Sequence, residues 1–356
     1  MPIFSKNRFL GVDFGTASIK AVELELRYGK PELVNYGEAT LLSPDGGANI
    51  PIRSFKEDMI LRFRALLERM HPGTDEAYVS MPSFLGLISL IDFPEMSESE
   101  LEESVRFEAH KYIPSPLEDV ALSWEVLGTK DIPLSDGSGM QKKTEVLLVA
   151  ALNKEVWQYE GYVREAGYGL GLLELETFSI ARAMVGNDHG VFLIIDIGAR
   201  AANLILVDGG YVKMSRNIDA GGRDVTRTLS ESLNISLDRA ETLKKSSKDF
   251  LNSRETAVIF PAIEMIVNEA GRMVESWKSK RPDARFDSVI LSGGTARMVG
   301  ISRYFSSRLG IPATLGDPWR SIVCPNGLQP AINRMGSSFS VALGLALYGV
   351  SLGKKG

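Results

Sequence analysis

The chain has 356 residues, 44% of them apolar and 24% charged, which is enough to bury a large core and to divide into two domains. A net charge of −5 gives no basic excess of the kind that marks nucleic acid as a main partner, and the single cysteine, Cys324, excludes an internal disulfide. No unbroken apolar run of about 18 residues is present and Met1 to Leu10 has no signal-peptide apolar core, so a cytoplasmic protein without direct membrane insertion is expected.

Met1 to Arg8 is a short entry segment, with Ile3 and Phe4 read as cover for a sheet edge. Phe9 to Leu26, FLGVDFGTASIKAVELEL, reads as strand, tight turn, strand: Asp13 closes an apolar run and Gly15-Thr16-Ala17-Ser18 forms a small-residue turn. Turn N–H groups of this kind cradle phosphate oxygens, while a carboxylate at the strand end holds a hydrated Mg²⁺. Taken alone, Asp and Gly here could equally serve the turn and nothing else.

Pro31 to Leu42 continues in strand-like alternation, Ser43 to Gly47 is a loop, and Phe55 to Met70 has the helical spacing Phe55, Met59, Phe63, Leu66, ended by His71-Pro72-Gly73. Ala77 to Phe93 reads as two strands joined near Pro82. Ser97 and Glu100 form a capping box that opens a helix with Leu101, Val105 and Ala109 on its apolar face, stopping before Pro114 and Pro116. Val120 to Leu127 and Glu145 to Leu152 are predicted strands flanking a polar loop, Thr129 to Lys143, and Lys154 to Ala166 is a predicted helix. Residues 76–169 thus read as a compact α+β unit. Leu172 to Met184 is a predicted helix on which Glu176 is, by itself, an ordinary solvated acid.

Phe192 to Val207, FLIIDIGARAANLILV, repeats the first hairpin: Asp196-Ile197-Gly198 aligns with Asp13-Phe14-Gly15, and Phe192-Leu193 with Phe9-Leu10. Internal repetition reveals how a chain is built. Here it implies two related halves, each offering an acidic phosphate hairpin to a shared cleft. A third element is Asp287 to Gly300, DSVILSGGTARMVG: a strand, the turn Ser292-Gly293-Gly294, and a helix expected from Thr295. The glycine pair lets a flat or charged ligand approach the backbone. Between these, residues 223–286 are mostly helical; in Pro261 to Trp277 the stripe Ile263, Ile266, Val267, Ala270, Met273, Val274, Trp277 reads as core. Leu243 to Lys248 is a solvated charge cluster whose lysines could flank an adenine. Ile301 to Leu309 is a helix stopped at Gly310, and Ser337 to Tyr348 a small-residue helix suited to close packing.

Two D-x-G hairpins followed by a GG turn resemble, in order and spacing, the actin-like ATPase superfamily over nearly the whole chain. The resemblance implies an α/β fold: a duplicated, ribonuclease H-like two-domain ATPase with an α+β subdomain inserted in the first domain. It implies a first subdomain at 1–75, completed by 170–190 and 335–356, and an insertion at 76–169. The second core would span 191–222 and 286–334, and a helical nucleotide-flanking subdomain 223–285. It further implies ATP and Mg²⁺, the metal held through water by Asp13 and Asp196. The phosphates would meet Gly15, Thr16, Ala17, Ser18, Lys20, Gly198 and Ala199, with Arg200 either pairing with a phosphate or pointing to solvent; Ser292, Gly293, Gly294, Thr295 and Met298 would line the nucleoside, and Gly221 and Gly222 would also contact the nucleotide. Glu176 lies near where such enzymes place a water-orienting residue. Arg200 departs from the small or hydroxyl residues common in the second hairpin, which points to slow ATP turnover at most.

Within that superfamily, FEAHKYIPSP (Phe107 to Pro116) and VLLVAALNKEVWQYEGYVREAGY (Val146 to Tyr168) resemble the PilM family of type IV pilus assembly proteins. FtsA has a comparable insertion, but FtsA-like chains usually end in an amphipathic membrane-targeting helix, and Gly349, Gly353 and Gly356 are expected to break one here. The PilM resemblance implies an ATP-binding scaffold, peripheral to the inner membrane, that grips the N-terminal cytoplasmic peptide of a PilN-type membrane protein. Contacts with other pilus-assembly ATPases and self-association are compatible with it. An FtsA-like filament-forming tether and a small-molecule kinase on the same fold are the alternatives.

Overall fold

The computed structural model of the chain describes residues 7–41, 52–113, 115–133, 139–253 and 258–354. The expectations for Ile3 and Phe4, the Ser43 to Gly47 loop, the Phe55 side chain, Pro114 and Gly356 lie outside the described residues. Strands β1 (Arg8–Phe14), β2 (Ser18–Arg27) and β3 (Lys30–Thr40) form an antiparallel meander, followed by α1 (Ile52–Met70) and by β4 (Glu76–Met81), which runs parallel to β1. A 3₁₀ turn, Ser83–Leu85, leads to β5 (Gly86–Pro94), α2 (Glu98–Ala109), β6 (Val120–Pro133), β7 (Met140–Leu152) and α3 (Asn153–Glu165). The chain then returns through β8 (Gly169–Leu175) and α4 (Glu176–Met184).

The second half repeats the first. It contains β9 (Val191–Ile197), β10 (Ala202–Asp208), β11 (Tyr211–Ile218), α5 (Gly222–Leu233), α6 (Leu237–Lys244), α7 (Pro261–Lys280), β12 (Ser288–Ser292), α8 (Ile301–Leu309), β13 (Ala313–Leu315), α9 (Gln329–Met335) and α10 (Ser340–Gly353). The two five-stranded sheets have orders β3-β2-β1-β4-β8 and β11-β10-β9-β12-β13, the same arrangement of a meander plus two parallel strands. The registers match as well. Asp13 pairs with Lys20 across the first hairpin and Asp196 with Asn203 across the second, while Ser80 and Ser292 stand beside the respective aspartates on the parallel neighbour.

Sheet membership redraws the expected inserted unit. The separate three-stranded sheet, β5-β7-β6, spans 86–152, with α2 packed on it through Leu101, Val105 and Ala109 against Val146, Leu148 and Ala150. β4, which the 76–169 boundary assigned to that unit, is a strand of the first domain, as is β8, and Tyr159, Tyr162 and Val163 of α3 belong to the first domain's core. Leu172 to Leu175 is strand rather than helix, because the run pairs in parallel with β4. Within the Thr129 to Lys143 stretch, residues 129–133 and 140–143 extend the β6–β7 ladder, with Thr129 opposite Thr144 and Lys130 opposite Lys143. Helices α5 and α7 share one core with the second sheet, Val225, Leu229, Ile263 and Met273 packing with Leu193, Ile195 and Leu204.

α10 joins the halves. A Cβ on Gly11 of β1 would lie 2.0 Å from the Ala342 carbonyl, and one on Gly344 would lie 2.0 Å from the Ser179 carbonyl of α4. The backbones approach this closely only because the residues are small. α10 also continues through Gly349 to Gly353, where glycine makes room for Phe9 and Tyr78, so these glycines do not break the helix. Asn326–Gly353 is long and apolar enough to cross a membrane by length and composition, and 67% of that window is buried inside the fold.

Candidate functional site

The two hairpins face each other across a cleft of about 770 Å³. Asp13, at the end of β1, is 8% exposed, and burial raises its pKa to about 6; Lys20 opposes the rise and Asp196 adds to it. Burial also raises the pKa of Asp196, against hydrogen bonding from Ser292 and the charge of Lys20. Glu176 opens α4 and reaches the same space from the first domain. Burial, then repulsion from Asp13 and Asp196, raises its pKa to about 8. It is recessed in the cleft, not a solvated helix acid.

Three carboxylates thus line one cleft, each made by burial to resist ionisation. Among the described residues no three His, Cys, Asp or Glu side chains form a ready ligand set for a metal. That donor chemistry fits Mg²⁺, which keeps several of its waters and binds through one or two carboxylates plus phosphate oxygens.

The turns fit phosphate. Gly15 and Gly198 hold equivalent places: a Cβ on Gly15 would lie 2.9 Å from the Ser18 carbonyl, and one on Gly198 would lie 2.9 Å from that of Ala201. Gly222 and Arg223 donate their N–H groups to the Gly198 and Ala199 carbonyls, tying the start of α5 to the second hairpin. Gly293, with φ of 86°, turns so close to Ile197 that a side chain would strike its backbone.

Of the residues expected at the site, Asp13, Gly15, Thr16, Ala17, Ser18, Lys20, Glu176, Asp196, Gly198, Ala199, Gly222, Gly293, Gly294, Thr295 and Met298 line this one cleft. Arg200, Gly221 and Ser292 are not part of its wall. Arg200 is exposed, with its guanidinium 5.5 Å from the Phe84 ring and 3.7 Å from Asp219. Ser292 is wholly buried behind Asp196, 3.2 Å from Ser340 Oγ. Gly221 packs on the Ala199–Arg200 backbone. The helix expected from Thr295 is a single 3₁₀ turn, Thr295–Arg297, and α8 begins only at Ile301.

Several cleft residues were not singled out by the sequence reading. Asn203 is the counterpart of Lys20 and is found by carrying the hairpin alignment past the glycines. Asn217, Arg297 and Arg334 have no such signal. Lys244, from the charge cluster expected in solvent, is buried and donates to the Gly222 carbonyl at 3.0 Å and to Thr226 at 2.8 Å. Its partner Glu241 would be raised by burial, but hydrogen bonds from Lys244 and Thr226 hold it down to about 2.

A family model described as type IV pilus assembly protein PilM matches residues 11–350. The chain belongs to the PilM family of type IV pilus assembly proteins. The cell division protein FtsA of Neisseria meningitidis serogroup B (strain ATCC BAA-335 / MC58) is 22% identical over 385 residues, covering 96% of this chain and 90% of the relative. A solved PilM–PilN type IV pilus biogenesis complex aligns with a TM-score of 0.75 at 25% identity, over 96% of this chain and 98% of that one. MreB5 of Spiroplasma citri bound to ADP aligns with a TM-score of 0.50 at 14% identity over 98% of each chain, a likeness of fold alone. The duplicated sheets and these neighbours establish the two-domain actin-like fold for this PilM family member.

Proposed function

We propose that this chain is a nucleotide-binding scaffold of a type IV pilus assembly complex. It holds Mg-ATP between its duplicated halves and grips the N-terminal cytoplasmic peptide of a PilN-type membrane protein, which keeps it at the inner membrane. The observation that carries the nucleotide reading is the pair of equivalent hairpins with Asp13 and Asp196 facing one cleft. The reading of the partner is supported by the likeness, along 96% of the chain, to a PilM solved with PilN.

In this reading Asp13 and Asp196 hold Mg²⁺ through its waters, and the ion neutralises phosphate charge. The Gly15–Ser18 and Gly198–Ala199 turns present N–H groups to the phosphate oxygens, and Lys20 supplies a fixed positive charge beside Asp13. Gly293, Gly294, Thr295 and Met298 form a bare wall for the nucleoside. Glu176 is the water-orienting candidate. An acid that stays protonated near neutral pH is a poor proton acceptor, so turnover is read as slow. For the peptide, β5 and β6 are the outer strands of the inserted sheet, and an extended segment lying between that sheet and the first domain can add backbone hydrogen bonds to an edge.

Calorimetric titration tests both halves of the reading. Asp13→Ala and Asp196→Ala should each weaken Mg-ATP binding by about ten- to a hundredfold, the worth of one contact to a charged group. Unchanged affinity in both would remove the site assignment. A synthetic PilN-type N-terminal peptide should bind one to one, and the absence of saturable heat would remove the partner.

A further inference from the structure

The inserted sheet is attached to the first domain through the turn Ser83–Leu85 on one side and the β7–α3 junction on the other. The turn is unusually connected. Ser83 is 2% exposed; its backbone N–H and its Oγ each lie 3.0 Å from Glu176 Oε1, and the same Oγ lies 2.5 Å from Asn217 Oδ1 on β11. The next residue, Phe84, carries the Arg200 guanidinium over its ring, and Pro82 and Phe84 line the cleft. One short turn therefore touches the acid of the first domain, the outer strand of the second domain and the arginine of the second hairpin. Gly86, immediately after it, begins β5.

We propose that Ser83 is a positioning residue that transmits ligand occupancy beside Glu176 to the inserted sheet, through the single hydroxyl proton it shares between Glu176 and Asn217. This rests on the cleft being a nucleotide site. A serine hydroxyl has one proton to donate, and it stands here between two acceptors. In the free chain the Ser83 N–H donates to Glu176 Oε1 and the Ser83 hydroxyl reaches both Glu176 Oε1 and Asn217 Oδ1, so the turn is tied to both domains. A ligand contact that turns the Glu176 carboxylate fully onto Ser83 draws the hydroxyl proton wholly to Glu176. Asn217 then loses its donor, and its amide must turn over or release the strand. The change falls on the residue three positions ahead of Gly86, with no loop between to absorb it. The displacement therefore passes into β5, an outer strand of the inserted sheet.

The test is hydrogen exchange of the β5 amides, measured on the full chain without nucleotide and at saturation with Mg-ATP or Mg-ADP, saturation being fixed for each variant by calorimetry. In the parent chain, β5 exchange should differ by about tenfold between the free and Mg-ATP states, within the range that coupling between sites supplies. Ser83→Thr, which keeps the hydroxyl, should preserve that difference. Ser83→Ala should abolish it, a loss that a merely structural serine would not confine to the nucleotide response. Asn217→Ala should abolish it too, and serves alone if Ser83→Ala does not fold. Equal β5 exchange in the free and saturated parent chain overturns the relay, as does a full response in both alanine variants. An absence of any nucleotide heat removes the cleft reading itself and the relay with it, and the calorimetric step separates that failure from the others.

Discussion

Asp13 and Glu176 hold protons more tightly in the folded chain than an exposed carboxylate does, with pKa values raised by burial to about 6 and about 8. The sign follows from proton counting. Between the ordinary carboxylate range and these raised values the folded chain carries more protons than the unfolded one, so stability falls as pH rises through that window. Each group contributes a slope of at most about 1.4 kcal/mol per pH unit while it titrates. Thermal unfolding of chelator-treated protein should therefore show a Tm that declines from about pH 5 to about pH 8. Asp13→Asn should flatten the lower part of the decline and Glu176→Gln the upper part. Mg-ATP should offset it, since a cation needs the ionised forms and binds better as pH rises. A Tm that is level across the window in metal-free protein would refute the buried-acid description. The aspartates were legible in the sequence because both lie in repeated D-x-G turns. The setting of Glu176 was not, because it comes from Ser83, Asp13 and Asp196, which reach it from distant parts of the chain.

Among the elements, glycine separates the positions that hold the halves together from those that do not. Gly344 of α10 faces the Ser179 carbonyl at a distance that no Cβ tolerates, whereas Gly161 in the middle of α3 has nothing within 4 Å of a Cβ. Gly161→Ala should raise stability by about 0.5–1 kcal/mol, because alanine costs less to order in a helix. Gly344→Ala should lower it by about 1–3 kcal/mol or more, since neither backbone can retreat without moving α10 off β1. Urea unfolding of the two variants checks both, and two shifts of the same sign would undo the packing argument. The small-residue pattern of α10 could be read in advance, as could the two hairpins and the α7 stripe. Strand β8 could not: Leu172 to Leu175 runs into α4 with no Gly or Pro to mark the boundary, and its pairing with β4 is settled only by the fold. The β6–β7 extension was hidden for a different reason, since Lys130, Lys142 and Lys143 give it the composition of a loop while its ladder is made by backbone pairing.

At the scale of the molecule, the inserted sheet is held to the second domain by a buried ion pair. Lys213 of β11 and Glu145 of β7 are each under 10% exposed and hydrogen-bonded, at the edge of a groove of about 1190 Å³ between the two bodies. Lys130 completes a network, 2.9 Å from Glu145 and 2.7 Å from Asp92. Burial would raise the pKa of Glu145, but Lys213 and Lys130 together hold it below the usual range. Removing Lys213 leaves a buried carboxylate with one partner in place of two, so Lys213→Met should cost about 3 kcal/mol, the lower end for breaking a buried pair because Lys130 remains. Lys213→Met combined with Glu145→Leu should recover most of that loss, since a buried pair replaced by apolar groups is close to neutral and Lys130 keeps Asp92. The single variant should also expose residues 86–152 to limited proteolysis before the rest of the chain, the sheet being then tethered chiefly by the Ser83 turn and the β7–α3 junction. If the double variant is as unstable as the single one, the pair acts through packing rather than charge, and the contact between inserted sheet and second domain is a fixed interface, not a separable joint. If it recovers, the loss in the single variant is that of the unpaired Glu145 carboxylate, and it is the single variant that should widen the difference in β5 exchange between nucleotide-free and nucleotide-bound chain, because less of the Ser83 displacement is resisted at the far side.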